Sequence, residues 1–341
     1  MPQYTPILRW KRGERVGLQH LTAGAKQRSL PLFLLGADQY KLRPATARRD
    51  AVPAPDAFIQ EVRIAWGTTP FLLDASALPS QGLHHPLQAI SAACAGAGLA
   101  MIPTTALAVS PAYQAAVNAS VATGNGVCLR IDLQEASSMQ TWIGAWPHPL
   151  EQTDLILDFG AEIGTVAQLG PALDDVFLNL HAGNRWRSVS MAGTSMPENF
   201  TGYLAGQHLI NRREWSLWQH LHGLRLPYRL DYADFTSTSP GAPPPNIAWG
   251  YPINVKYTLP DSFLICRGVR TTGPQGVEAD VQLVNHANSI RNFAQRHALA
   301  HIWADSKIDD IAVGNASPQG LEHWVQLGVN RHIELMATLL P

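Results

Sequence analysis

A full charge stands inside one of the most apolar stretches of the chain: Arg130, between Leu129 and Ile131. A guanidinium there is costly unless it is paired or open to water. Asp158, which ends the aliphatic run Leu155-Ile156-Leu157, is its natural partner. Two chemistries follow, and the sequence leaves both open. One is a buried structural ion pair; the other is an Arg that clamps a carboxylate or phosphate while the Asp orients it. Further polar residues end other apolar runs or follow them closely: Lys11, Asp74, Asp132, Ser195, Asp231 and Asp234. Arg130, Asp158 and Asp231 are the candidate catalytic set. If Asp74, Asp158 and Asp231 converged they would hold a divalent ion such as Mg²⁺, with Lys11 anchoring a phosphate, and a metal-dependent hydrolase is a chemistry such a set supports. Gly193-Thr194-Ser195 follows an apolar run and precedes an amphipathic one, the order an anion cradle needs, although Thr194 or Ser195 serves equally as a helix N-cap. Gly124-Asn125-Gly126 has the reverse order and reads as a helix-ending turn.

Such residues act together only if the chain brings the ends of its apolar runs to one place. Short runs of strand length alternate with longer amphipathic stretches, the pattern of a parallel sheet connected by helices. Eight runs are found, at Thr5–Trp10, Leu30–Leu35, Pro70–Leu73, Ala100–Pro103, Val127–Leu133, Asp154–Phe159, Arg187–Met191 and Tyr228–Tyr232. Helices are expected between them at about Glu14–Leu21, Asp56–Trp66, Pro86–Ala97, from Ser110-Pro111 to Gly124, and at about Pro197–Trp218. This is the rhythm of an α/β chain closing as a (βα)₈ TIM-like barrel over residues 1–238, whose functional face is the C-terminal end of the strands. The Pro-rich stretch Ser239–Pro245 then separates it from residues that abandon the βα rhythm. Ile253–Tyr257 and Phe263–Cys266 flank Pro260-Asp261 as a β-hairpin, and helices follow at about Val281–His297 and Leu321–Leu339. Residues 239–341 are expected to cap the barrel within the same globular unit; a separate small module is the alternative.

Composition narrows the classes of partner. With 25 basic and 26 acidic residues there is no global drive toward nucleic acid or anionic membrane. The ten tryptophans lack interleaved basic clusters, so core packing explains them better than base stacking. No run is long enough to span a membrane, and Met1–Pro6 lacks the features of a signal peptide. The three cysteines match no zinc spacing and suit a reduced, cytoplasmic protein. The 13 histidines contain no His-Glu-x-x-His pattern, which argues against a zinc hydrolase.

The opening Tyr4-Thr5-Pro6-Ile7-Leu8-Arg9-Trp10-Lys11-Arg12-Gly13-Glu14 resembles the start of the beta protein family, named after a protein of a T-even phage. Val127–Arg130, Leu155–Gly160 and Asp231-Tyr232 resemble its strands, and Val255–Thr258 with Leu264–Gly268 resembles its hairpin. Gly314-Asn315, Trp324 and Gly328–Ile333 resemble its C-terminal segment. These matches keep their order over nearly the whole chain. The resemblance implies an association with phages and bacterial mobile or defence-type loci, and brings no settled reaction. Lys256 and Tyr257 of this hairpin are ligand-binding candidates, and Arg267, from the same hairpin, is a lid contact for the divalent-ion site at the mouth. His332 becomes a general acid or base if the tail covers the mouth, or a cap of the last helix. A partner protein from such a locus, bound through the tail, is the alternative to a small anionic ligand.

Overall fold

The computed structural model describes residues 3–44, 51–122, 124–183, 185–241, 252–299 and 301–341. Most of the Pro-rich stretch, from Ala242 to Pro245, lies outside them. The strands are β1 (Tyr4–Arg9), β2 (Leu32–Leu34), β3 (Phe71–Asp74), β4 (Met101–Thr105), β5 (Val127–Ile131), β6 (Thr153–Asp158), β7 (Ser188–Gly193), β8 (Gly206–Asn211), β9 (Leu230–Asp234), β10 (Asn254–Thr258) and β11 (Ser262–Arg267). The helices are α1 (Arg12–Gln19), α2 (Ala23–Arg28), α3 (Ala54–Ala65), α4 (Leu87–Gly96), α5 (Pro111–Val121), α6 (Leu133–Ser137), α7 (Met139–Trp142), α8 (Ile163–Val166), α9 (Pro171–Leu178), α10 (Arg213–His222), α11 (Ala279–Arg291), α12 (Trp303–Ala312) and α13 (Leu321–Leu339).

The eight predicted barrel strands form a closed parallel barrel in the order β1-β2-β3-β4-β5-β6-β7-β9. Alternation along each strand divides its side chains between two cores. Ile7, Leu32, Leu72, Ile102, Cys128, Ile156, Ala192 and Ala233 fill the interior. Their neighbours Leu8, Phe33, Leu73, Leu129, Leu157, Met191 and Tyr232 face the surrounding helices.

One predicted element is corrected. In place of a helix over Pro197–Trp218, the chain forms β8 and then the shorter α10. Gly202 and Gly206 have φ of 87° and 134°, conformations that break a helix. The partner that turns Gly206–Asn211 into a strand is remote: β11 pairs with it antiparallel, giving a three-stranded sheet β10-β11-β8.

The last helix has two sides. Val329, Ile333 and Met336 join the core between barrel and helices, whereas Trp324 and Leu327 join a second core beneath the hairpin with Val255, Tyr257, Leu264, Leu283 and Ile308. α13 crosses α1 at Gly17, where an added Cβ would sit 2.9 Å from the Gln326 carbonyl and 3.0 Å from Val329. Asn330 donates to the Gly17 carbonyl at 3.2 Å, and Thr22 donates its hydroxyl to Glu334 at 2.9 Å. α13 thus packs on β1 and α1, where a barrel's eighth helix would lie. Each large buried apolar side chain contributes about 1.5–3 kcal/mol, so the five α13 residues in these cores and the buried Leu335 together match or exceed the margin of a typical domain, about 5–15 kcal/mol. Truncation before Leu321 is therefore expected to abolish cooperative thermal unfolding of the barrel as well as the tail, read by circular dichroism. A truncated chain that still melts cooperatively near the wild-type temperature would show that α13 is dispensable.

Candidate functional site

At the C-terminal ends of the strands, alternation points Asp74, Arg130 and Asp158 inward from β3, β5 and β6. The Arg130 guanidinium donates from Nε to Asp158 at 2.5 Å, also pairs with Asp158 through Nη2, and reaches Asp74 more loosely at 3.5 Å. The remaining oxygen of each carboxylate closes a turn. Asp158 accepts from the Gly160 amide at 2.8 Å, and Asp74 from the Ser76 amide at 2.9 Å and its hydroxyl at 2.6 Å. Burial works against the Arg130 charge, but Asp158 and Asp74 more than offset it, so its proton is held more tightly than usual. The guanidinium also lies 5.8 Å from the Phe235 ring centre. A cleft of about 250 Å³ opens beside it, lined also by Thr105, Tyr113 and Asp132. Tyr113 locks one wall, donating to the Thr104 carbonyl at 2.6 Å and accepting from the Ala75 amide at 3.2 Å. Asp132 is the N-cap of α6, in a capping box with Glu135.

Other predicted site residues lie elsewhere. Asp231 does not reach the mouth. β9 extends two residues beyond the predicted end at Tyr232, and its register with β1 and β7 pairs Tyr4 with Tyr232 and Gly193 with Asp234. Asp231 therefore sits about 10 Å below the strand end. It lines a second cavity of about 200 Å³ at the opposite end of the barrel, with Asp154 and Arg187. Burial pushes its carboxyl up, partly countered by Arg229. The divalent-ion set of Asp74, Asp158 and Asp231 is thus not assembled. Asp74 and Asp158 share a guanidinium, and no group of three or more His, Cys, Asp or Glu among the described residues is placed to hold a metal.

Asp234 points outward through the barrel wall. It accepts from Tyr4 at 2.8 Å and from the Thr236 amide at 2.9 Å, meets His332 Nε2 at 2.7 Å, and lies 3.6 Å from Arg212. His332 Nδ1 faces the Thr258 hydroxyl at 3.1 Å. Burial holds His332 below its usual pKa, so it is neutral, with Nε2–H donating to Asp234 and Nδ1 accepting from Thr258. Although burial opposes its charge, Asp234 is held down at about 2 by His332, Arg212 and Tyr4. The order Asp-His-Thr repeats that of a nucleophile triad, but all three residues are at most 1% exposed, between barrel and tail. Tyr257 donates to Asp305 at 2.8 Å in the core beneath the hairpin, and Arg267 donates to Asn254 at 3.1 Å at the end of the small sheet. Ser195 accepts from the Arg213 amide at 2.9 Å, tying the long loop to the start of α10 without preceding a helix itself.

Two residues the sequence reading passed over lie at the β1 rim. Arg9 follows Thr5 and Ile7 on the inward face, a period-two signal that would have found it. It donates to the Ser239 carbonyl at 2.7 Å and also to that of Gly241. Glu14, on α1, is 4% exposed, and only folding reveals that burial. Burial raises its pKa to about 8, against the pull of Arg9, Lys11 and Lys256. Lys256 donates to the Ser237 carbonyl at 2.9 Å and lies 5.7 Å from the Phe200 ring centre. Burial lowers its pKa to about 8, opposed by Glu14 and reinforced by Arg9.

The two shifts have opposite consequences for stability. Glu14 keeps in the folded state a proton that the unfolded chain releases near its ordinary value of 4.5, so its contribution falls as pH rises from there to about 8. Lys256 acts above that window, its contribution growing from about pH 8 toward 10.5. Glu14→Gln is therefore expected to gain melting temperature relative to the wild type between pH 5 and pH 8. A constant difference across that range would mean that Glu14 ionises normally.

The closed barrel and its charged mouth define the class: a (βα)₈ barrel protein with a cleft bordered by Asp74, Arg130, Asp132 and Asp158 at the C-terminal end of the strands. The chain belongs to the Beta protein family, whose model matches residues 4–338. Neither a curated protein nor a solved structure matches it significantly. No helix among the described residues is long and apolar enough to cross a membrane.

Proposed function

We propose that this Beta family protein binds a small anionic ligand, phosphorylated or nucleotide-like, at the barrel mouth. The observation that carries the reading is Arg130, gripped on one edge by Asp158, only loosely held by Asp74, and bordering an open cleft. A fixed guanidinium with a replaceable partner is suited to an incoming oxyanion. Because Asp74, Asp132 and Asp158 outnumber Arg130 in the cleft, a bare anion would be repelled. The ligand must also donate, as the hydroxyl and amino groups of a nucleotide or sugar phosphate do. A cytoplasmic location belongs to the same reading, and three buried free cysteines support it. Calorimetric titration of nucleotides and sugar phosphates into wild type and Arg130→Ala tests the reading.

A second reading is a non-catalytic interaction module serving a phage or defence locus. What favours it is β8, at the edge of its small sheet, with Leu209 49% exposed on the strand and Leu204, in the loop just before it, 80% exposed. Edge strands with exposed apolar residues are templates for a partner strand. If Leu209→Lys loses the biological effect while Arg130→Ala keeps it, the second reading replaces the first.

A further inference from the structure

We propose that the rim between β1, the start of α1 and β10 is a separate anion subsite, in which Arg9, Lys11, Lys256 and Glu14 hold a phosphate group. The subsite goes beyond the Arg130 reading and does not depend on it. Arg9 and Lys256 reach the same turn after β9 from different elements: Lys256 binds the carbonyl of Ser237, and Arg9 those of Ser239 and Gly241. These acceptors are neutral, so they orient both cations without cancelling their charge. Among the described residues no carboxylate lies within ion-pair distance of Arg9, Lys11 or Lys256. The other charges nearby are committed or outside. On α1, Arg12 pairs with Glu322 of α13 and Arg15 with Glu61 of α3, while Glu198, near Gly241, is exposed.

Glu14 completes the subsite. Its Oε2 is buried and has no hydrogen-bond partner, a cost that the fold carries without visible return. Below about pH 8 the carboxyl is protonated, so it can donate a hydrogen bond to an oxyanion, and an ionised acid at that place would repel one. A carboxylic acid kept neutral by burial so that it can donate is an established device. The first turn of α1 adds a favourable field, because its N-cap, Lys11, makes no side-chain capping bond and the helix begins at the mouth side of the barrel.

The probes are inorganic phosphate at pH 7 and sulfate at pH 7 and pH 9, titrated calorimetrically into the full chain; sulfate keeps its charge over that range. Both should bind at pH 7, with sulfate affinity falling at least tenfold at pH 9 as Glu14 ionises and Lys256 loses its proton. Lys256→Met should weaken phosphate at least tenfold and Lys256→Arg should retain it; if Lys256→Met does not fold, Arg9→Gln takes its place. Glu14→Gln keeps a neutral donor, so it should bind sulfate at pH 7 and lose less at pH 9 than the wild type. Absence of binding by the wild type overturns the proposal, as does unchanged affinity in Lys256→Met or Arg9→Gln. Loss of phosphate in Arg130→Ala with normal binding in Lys256→Met would also overturn it, by locating the bound anion elsewhere.

Discussion

Asp234→Ala is expected to cost about 3–5 kcal/mol of stability, the range for removing one partner of a buried charge network. The carboxylate gathers Tyr4, the Thr236 amide, His332 and the Arg212 guanidinium, and no water can replace it at 1% exposure. Its removal leaves three donors unsatisfied at once, and among the described residues Arg212 keeps only Glu214 as an acidic partner, at 3.4 Å. Because Asp234 and Tyr4 belong to the barrel while His332 belongs to α13, the damage should appear as loss of the whole fold. A melting temperature lower by roughly 5–10 °C is the expected calorimetric result at pH 7, with Asp234→Asn intermediate. A change below about 1 kcal/mol would mean that packing alone joins α13 to the barrel. The same network predicts acid sensitivity. Asp234 contributes stability above its ordinary value of 3.8 that is lost as pH falls toward about 2, and Asp234→Asn should flatten the melting curve over that window.

Arg130→Ala is expected to weaken ligand binding by about 2–4 kcal/mol, or roughly 30- to 1,000-fold, because the guanidinium supplies the cleft's positive charge and leaves Asp74 and Asp158 facing one another when removed. Stability should suffer less than in Asp234→Ala. The Arg130 side chain is 25% exposed and that of Asp74 19%, so water can enter and solvate the remaining carboxylates. The decisive comparison is between affinity and melting temperature in the same variant. A near-normal melting temperature with affinity lost assigns Arg130 to the ligand. Unchanged affinity with a lower melting temperature reduces the pair to a structural ion bridge. Arg130→Lys separates charge from shape: Lys keeps the charge but cannot lie against Asp158 with two parallel donors, so partial affinity is expected.

The pairing of Arg130 with Asp158 was legible in the sequence because each is a charge that terminates or interrupts an aliphatic run, and parallel neighbours place such residues side by side. Asp231 shows where that reasoning stops. A strand's alternation is local, but its level in the barrel depends on hydrogen bonds to neighbours remote in sequence. A shift of two residues in the strand's end put Asp231 at the opposite end of the barrel and left Asp234, two residues past the expected end, facing outward. β8 was read as helix because Gly206–Asn211 becomes a strand only when β11 lies beside it.

By itself the sequence determined the barrel: eight apolar runs at strand length, their two-residue alternation, the hairpin, and the charged pair at the mouth. These depend on short-range periodicity and on the cost of burying charge, both readable from neighbouring residues. Tertiary structure alone decided that α13 lies against β1 and α1, that Asp234 meets His332, and that Glu14 is buried beside Arg9 and Lys256. The reason is distance along the chain. Asp234 and His332 are separated by 98 residues, and a side chain's burial and protonation are set by whatever segment packs against it.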